Sequence, residues 1–189
     1  MTRVAIVDSQ PAVRAGLTLL LRTEPGLVPV GVATGADDGF EIVDRLRPGV
    51  VLLEQHLVDG DGLTLCRRLK ALPHAPKVIL YTAEPDSDIV LLARIACADG
   101  IVDKAAEPQE LFEAIRIVAR GGAALPALGP EHLEAAAHLI DPEDLALLAM
   151  LIDGTPADAA ADTLRLDRRK VGHRIERLLG RLRTTVAAA

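Results

Sequence analysis

Aromatic residues are scarce in this sequence of 189 residues, which contains no tryptophan, one tyrosine and two phenylalanines. A packed core must therefore be aliphatic, and 50% hydrophobic residues are enough to build one. No apolar run approaches the roughly 18 residues of a membrane-spanning helix. After Met1-Thr2-Arg3 only four consecutive apolar residues precede Asp8, so we expect neither a secretory signal nor a membrane partner.

Cysteine is rarer still, with two residues. Cys66 and Cys97 cannot form a disulfide framework and lack the spacing of a CxxC motif, which indicates a reducing, cytoplasmic environment. The five histidines are scattered and not grouped with cysteines, so no zinc signature exists. We expect no cofactor.

Positive charge is concentrated in one stretch. The formal net charge is −6, but residues 165–183 contain eight basic and two acidic residues. A basic segment in an acidic protein predicts an anionic partner, with a simple solvated helix face as the alternative.

Five short aliphatic runs alternate with helical patterns along the first 120 residues. The runs occupy residues 4–7, 27–32, 50–53, 78–81 and 101–102, and one of the intervening helices is predicted over residues 87–97. Uninterrupted apolar strands separated by helices are typical of a five-stranded parallel, doubly wound α/β sheet.

The rest of the chain has a different pattern. Residues 121–139 are predicted to form a linker with a short helix. Three helical patterns follow at residues 142–152, 156–163 and 168–182, and their tight turns predict a small all-α helix-turn-helix domain. The predicted domain boundaries are therefore 1–120 and 140–189.

Polar side chains follow several of the predicted strands. Because ligands bind at the carboxyl ends of parallel strands, these residues are expected to converge on one pocket. Carboxylates there can hold Mg²⁺, while lysine and threonine can bind phosphoryl oxygens. The pocket residues are Asp8, Ser9, Glu54, Thr82 and Lys104.

The order and spacing of these residues resemble the receiver domain of bacterial response regulators. The resemblance rests on Val-Ala-Ile-Val-Asp8, Val-Val-Leu-Leu-Glu54, Ile-Leu-Tyr-Thr82 and Lys104. The tail, with Gly154, Val171, Ile175 and Leu182, is similar to the DNA-binding domain of the NarL/LuxR class.

Two pocket positions and the switch position depart from the family pattern. The phospho-accepting aspartate of the family falls on Glu54, its second acidic residue falls on Ser9, and its switch aromatic falls on Ile101. The resemblance thus implies an atypical, aspartate-less receiver that is not phosphorylated in the ordinary way, with at most weak Mg²⁺ binding at Asp8 and Glu54. The alternative is a buried ion-pair cluster of Asp8, Glu54 and Lys104 without a signalling role.

The resemblance also implies that the third tail helix enters the major groove of DNA. Two positions depart from the family pattern: Gly172 stands where a lysine usually reaches the bases, and Glu176 is a further base-facing position. The predicted DNA-binding residues are Arg168, Arg169, Lys170, His173, Arg174, Arg177 and Arg181.

Together these patterns predict a cytoplasmic, non-enzymatic transcription regulator that binds double-stranded DNA independently of aspartyl phosphorylation. A homodimer through the first and last receiver helices is expected, and a protein partner or small ligand can set the state. The alternative is an interaction module that heterodimerises with, or sequesters, a related regulator without binding DNA.

Overall fold

The structure, a computed structural model, describes residues 1–83 and 85–186, without the side chains of residues 130, 133 and 184–186. The elements in chain order are β1 (Thr2–Val7), α1 (Pro11–Thr23), β2 (Leu27–Ala33), α2 (Ala36–Leu46), β3 (Val50–Leu53), β4 (His56–Leu57), β5 (Gly60–Asp61), α3 (Gly62–Lys70), β6 (Lys77–Thr82), α4 (Ser87–Ile95), β7 (Gly100–Asp103), α5 (Pro108–Ala119), α6 (Pro130–Ala137), a 3₁₀ turn (Pro142–Asp144), α7 (Leu145–Ile152), α8 (Ala157–Leu164) and α9 (Arg168–Val186).

The chain divides into two compact units. The sheet unit contains Met1–Pro85 and Ala98–Leu125, and the helical unit contains Asp86–Cys97 and the chain from Pro126 onward. The predicted boundaries assigned all of residues 1–120 to the first domain. The structure differs by grouping the segment that contains α4 with the C-terminal helices.

The five predicted strands form one parallel sheet, in the order β2-β1-β3-β6-β7. All four residues of β3 are buried, as expected for a central strand covered on both faces. The sheet fold predicted from the sequence is therefore confirmed. A separate two-stranded hairpin, β4–β5, follows β3 and was not predicted.

The helices of the sheet unit bury aliphatic side chains against the strands. Leu21 of α1 and Ile115 of α5 lie in the same core cluster as Ile6 of β1. Both helices begin with a proline, Pro11 and Pro108, whose missing N–H and fixed φ suit the first helical turn. Helix α3 is capped instead by a side chain, because Asp61 accepts a hydrogen bond from the Thr64 N–H.

The helical unit contains the predicted three-helix tail. Helices α8 and α9 are separated by three residues, and the α9 side chains Val171, Ile175, Leu178 and Leu182 are buried. Asp167 accepts hydrogen bonds from N–H groups of the first turn of α9. These features give the helix-turn-helix arrangement expected from the sequence.

Helix α4 packs against α7 and α9. The five residues Ile89 to Ala93 are all buried, which places apolar contacts on more than one side of this helix. Arg94 holds it further by donating to the carbonyl oxygens of Ile152, 2.7 Å away at the end of α7, and Pro126, 2.8 Å away. The predicted helix at 87–97 is thus a component of the helical unit.

Within the described part of the chain, none of the helices has both the length and the apolar character needed to cross a membrane.

Candidate functional site

Three ionisable side chains meet at one edge of the parallel sheet. Asp8 follows β1, Glu54 follows β3 and Lys104 follows β7. In a parallel sheet these carboxyl ends lie at the same edge. Asp8 is 1% exposed and Glu54 is 6% exposed, so both carboxylates are withdrawn from water. Burial of two carboxylates requires compensating partners.

Lys104 supplies the positive charge for both carboxylates. Its Nζ lies 2.7 Å from Asp8 Oδ2 and also pairs with Glu54 Oε2. Burial by itself would lower the pKa of Lys104, but the bonds and attraction to Asp8 and Glu54 outweigh it and hold the pKa above its usual value. The ammonium is therefore fixed between the two acids.

The remaining carboxylate oxygens accept hydrogen bonds from the backbone. The Gln10 N–H donates to Asp8 Oδ1 over 2.7 Å. The N–H groups of Gln55 and His56 donate to Glu54 Oε1 over 2.6 and 3.2 Å. Each oxygen of both carboxylates thus has a donor or cation next to it, and the cluster is self-contained.

The other predicted pocket residues stand at the edge of this cluster. Thr82 is buried and donates to Gln55 Oε1 over 3.4 Å. Ser9 donates to the His56 carbonyl oxygen over 3.3 Å. Ile101, at the predicted switch position, is a buried residue of β7. Thr82 and Ser9 therefore connect to the cluster through the segment that follows Glu54.

The donor set does not fit a divalent cation. Mg²⁺ binds oxygen ligands, with at least one or two carboxylates turned toward the ion. Here one oxygen of Asp8 and one of Glu54 face the ammonium of Lys104, and Ser9 offers a hydroxyl in place of a third carboxylate. We therefore derive no chemistry through a metal ion.

The hairpin β4–β5 fixes the chain after Glu54. A Cβ atom at Gly62 would overlap the backbone oxygen of Glu54, so only glycine allows this close approach. Asp59, at the turn of the hairpin, accepts hydrogen bonds from the N–H groups of Ala36 and Asp37 at the start of α2, and these bonds lower the pKa of its carboxyl. Sequence analysis missed this cap, because an aspartate in a turn gives no sign of a partner 23 residues away.

The second candidate site is the exposed surface of α9. Arg168, Arg169, Lys170 and His173 are exposed, as a nucleic-acid interface requires. The predicted DNA contacts near the start of the helix are therefore accessible.

The other three predicted DNA-binding residues form ion pairs within the helical unit. Arg177 Nη2 lies 2.9 Å from Asp144 Oδ2, and Arg174 Nη1 lies 3.3 Å from Asp144 Oδ1. Arg181 Nη1 lies 2.8 Å from Asp141 Oδ1. The bond and attraction to Asp144 raise the pKa of Arg177. We call Asp141, Glu143 and Asp144 of the 3₁₀-turn region the acidic turn. Through these ion pairs the acidic turn binds one flank of α9.

The acidic turn also groups three carboxylates closely enough to suggest a cation site. The arginines of α9 neutralise it, since Arg174 and Arg177 both lie within 4 Å of Glu143 as well as of Asp144. This cluster is therefore an ion-pair network that positions α9.

Comparison with known proteins gives consistent matches. Residues 4–116 match the family of the response regulator receiver domain. The DNA-binding transcriptional activator DevR/DosR of Mycobacterium tuberculosis is 32% identical over 192 residues, covering 96% of this chain and 88% of that protein. The nitrate/nitrite response regulator NarL of Escherichia coli is 25% identical over 118 residues, covering 62% of this chain and only 55% of NarL.

Solved structures extend the comparison to the fold. A LuxR-family two-component response regulator from Aurantimonas sp. SI85-9A1 superposes with a TM-score of 0.63 at 27% identity, covering 73% of this chain and 96% of that one. RcsB from Salmonella enterica bound to a promoter superposes with a TM-score of 0.63 at 19% identity, covering 96% and 91%. At that identity the second match indicates the fold alone.

Proposed function

Since the chain belongs to the response regulator receiver family, we propose that it is a DNA-binding transcription regulator whose receiver works without aspartyl phosphorylation. The observation that carries the second half of this proposal is the pairing of Glu54 with Lys104.

Aspartyl phosphorylation needs a carboxylate oxygen that is free to attack a phosphoryl group. In this protein Oε2 of Glu54 pairs with the ammonium of Lys104, and Oε1 accepts two backbone hydrogen bonds. Both interactions withdraw electron density from the oxygens and so make them weaker nucleophiles. We infer that Glu54 holds the receiver in one state.

The proposal of DNA binding is supported by the relatives and by α9. DevR/DosR, which aligns with 96% of this chain, is named as a DNA-binding activator. Helices α8 and α9 carry the helix-turn-helix pattern, and three consecutive basic residues, Arg168 to Lys170, are exposed at the start of α9. Basic groups in that position can contact DNA phosphates.

A homodimer in the cytoplasm remains part of the proposal. Leu19 of α1 is 67% exposed and Ile117 of α5 is 45% exposed, so the first and last helices of the sheet unit each present an apolar side chain to solvent. Light scattering of the protein and of Leu19→Lys tests this point: the variant should shift toward the monomer mass.

Selection on random duplex DNA tests the proposed function directly. The purified, unphosphorylated protein is expected to enrich a motif that survives an increase in salt concentration, whereas purely electrostatic binding falls steeply with salt. Addition of a small phosphodonor with Mg²⁺ should leave both the motif and the intact mass unchanged. Donor-dependent binding, or a phosphoryl group found on the protein, would refute phosphorylation independence.

A matched pair of variants tests the part played by Glu54. Glu54→Gln removes the buried charge at nearly constant size, and Glu41→Gln makes the same change at an exposed site on α2. If Glu54 sets the state of the receiver, only the first variant alters the affinity for the selected motif. If both variants bind the motif with the affinity of the wild type, the ion-pair cluster has a structural role only.

One observation favours a second candidate function. Arg174, Arg177 and Arg181 pair with the acidic turn, so three of the seven predicted DNA contacts are already engaged. An interaction module that heterodimerises with a related regulator needs no DNA contacts at all. Absence of any enriched motif, together with a stable complex with such a regulator, would favour this function.

A further inference from the structure

The outward side of α9 is a stripe of four residues. Helical residues spaced four, three and four apart lie on one face, and this spacing joins Arg169, His173, Glu176 and Gly180. All four are exposed, while the buried residues of α9 occupy the opposite side. The stripe is therefore accessible to a ligand.

The ion pairs with the acidic turn fix the orientation of this stripe. Arg174, Arg177 and Arg181 lie along one flank of α9 and are each within 3.3 Å of a carboxylate oxygen in that turn. A helix held at three positions between Arg174 and Arg181 cannot rotate about its axis without breaking these pairs. The groups on the stripe are thus presented in a defined direction.

Glu176 is the acidic group on this stripe. Its side chain is 68% exposed, and its carboxylate lies 3.6 Å from His173 Nδ1. Helical side chains lean toward the N-terminus, so Glu176 extends over the surface of the preceding turn. Gly172 lies in that turn, and a Cβ there would meet nothing within 4 Å. The space beside the Glu176 carboxylate is therefore open.

A carboxylate in this position can bind only certain groups on DNA. It accepts hydrogen bonds but cannot donate them, and it is repelled by phosphates. The major groove offers amino donors at N4 of cytosine and N6 of adenine, and N4 of cytosine is the usual partner of glutamate, because adenine also presents an acceptor beside its amino group. The neighbouring Arg168, Arg169 and Lys170 are available to hold the backbone and offset the repulsion.

We propose that Glu176 determines specificity by accepting a hydrogen bond from the N4 amino group of a cytosine in the target site. This inference rests on the proposed DNA-binding function, and it specifies which base the stripe recognises. Gly172 contributes by leaving the approach to the carboxylate free of a side chain.

Selection on random duplex DNA with four versions of the full chain tests the proposal. These are the wild type, Glu176→Ala, Glu176→Gln and Glu134→Ala. The last variant is the control: it removes an exposed carboxylate from α6 and so changes the net charge by the same amount as Glu176→Ala. All should keep the wild-type melting temperature and circular dichroism spectrum, because both glutamates are exposed. Affinities for the enriched site and for its single-base variants are then measured at fixed salt.

We expect one position at which the wild type prefers cytosine by about 5- to 150-fold over other bases, the range of a good side chain–base contact. Glu176→Ala should lose that preference while the rest of the motif is kept, Glu176→Gln should weaken it, and Glu134→Ala should retain it. An enriched motif that is identical for the wild type and Glu176→Ala overturns this inference and leaves the proposed function standing. If Glu176→Ala instead binds all sequences more tightly by the same factor, the inference is likewise overturned and the proposed function stands. No enriched motif for the wild type overturns both.

Discussion

Replacing Lys104 by methionine tests whether the strand-end cluster stabilises the fold. The substitution removes the ammonium and keeps the length of the side chain, while Asp8 and Glu54 stay buried. Removing one partner of a buried ion pair costs about 3–5 kcal/mol. We expect a loss near the lower end, about 3 kcal/mol, because three backbone N–H groups still donate to the two carboxylates.

Tyrosine fluorescence during urea unfolding measures this loss. Tyr81 is the single tyrosine, the chain contains no tryptophan, and the Tyr81 hydroxyl donates to the Lys104 carbonyl oxygen over 3.4 Å. Burial raises the pKa of Tyr81, so the phenol stays neutral in neutral and acidic buffer. The probe therefore reports unfolding of the sheet unit beside the perturbed site.

The pH dependence separates an electrostatic loss from a packing loss. In the wild type the pKa of Lys104 is raised above its ordinary value of 10.5, so its stabilisation is complete below that value and disappears only as the pH rises through the folded pKa. In Lys104→Met this ammonium is absent, so the deficit relative to the wild type should stay constant at neutral pH and shrink only as the pH rises through the folded pKa of Lys104. Circular dichroism follows unfolding in that alkaline range, where tyrosine itself ionises.

Two controls complete the test. Arg22→Met removes one positive charge from an exposed site of the same unit and should change the free energy of unfolding by less than about 0.5 kcal/mol. In the double variant Lys104→Met/Glu54→Gln the loss should be smaller than the sum of the single losses. A loss below about 1 kcal/mol for Lys104→Met at neutral pH, or a deficit that does not shrink as the pH rises through the folded pKa of Lys104, would refute the reasoning.

Three further predictions concern other positions. Gly172→Ala should raise stability by about 1 kcal/mol, seen as a higher melting temperature, because the added Cβ meets nothing within 4 Å and alanine favours the helix; a lower melting temperature would contradict this. Arg177→Ala should lower the melting temperature, because it leaves the buried carboxylate of Asp144 with a weaker partner; no change would show that the pair is dispensable. Gly62→Ala should destabilise the sheet unit through overlap with the backbone oxygen of Glu54, and wild-type urea unfolding would exclude that close approach.

The sheet and the strand-end cluster could be predicted because both depend on local chain pattern. Strands buried on two faces appear as continuous aliphatic runs such as residues 50–53, and parallel strands place the residues that follow them at one edge. The contact of Lys104 with Asp8 and Glu54 follows from that placement. It needed no knowledge of how distant helices pack.

The partners of α4 and of the α9 arginines could not be predicted in the same way. Helical periodicity identifies which side of a helix is apolar or charged, but it does not identify the neighbour that covers that side. Arg174 and Arg177 were predicted as phosphate contacts because the acidic turn that binds them lies 30 or more residues earlier in the sequence. For α4, the sequence predicted a helix over residues 87–97 but did not identify α7 and α9 as its neighbours.

The grouping of α4 with the C-terminal helices changes where the chain can be cut. A fragment that begins at Pro126 would contain α7, α8 and α9 but not the helix that packs on two of them. It would expose to water the apolar surface that α4 covers, and the carbonyl oxygen of Ile152 would lose the guanidinium of Arg94. A fusion protein that uses the helical unit as its proposed DNA-binding module therefore needs the segment around residues 86–97 as well as the tail, although the two segments are separated in the sequence.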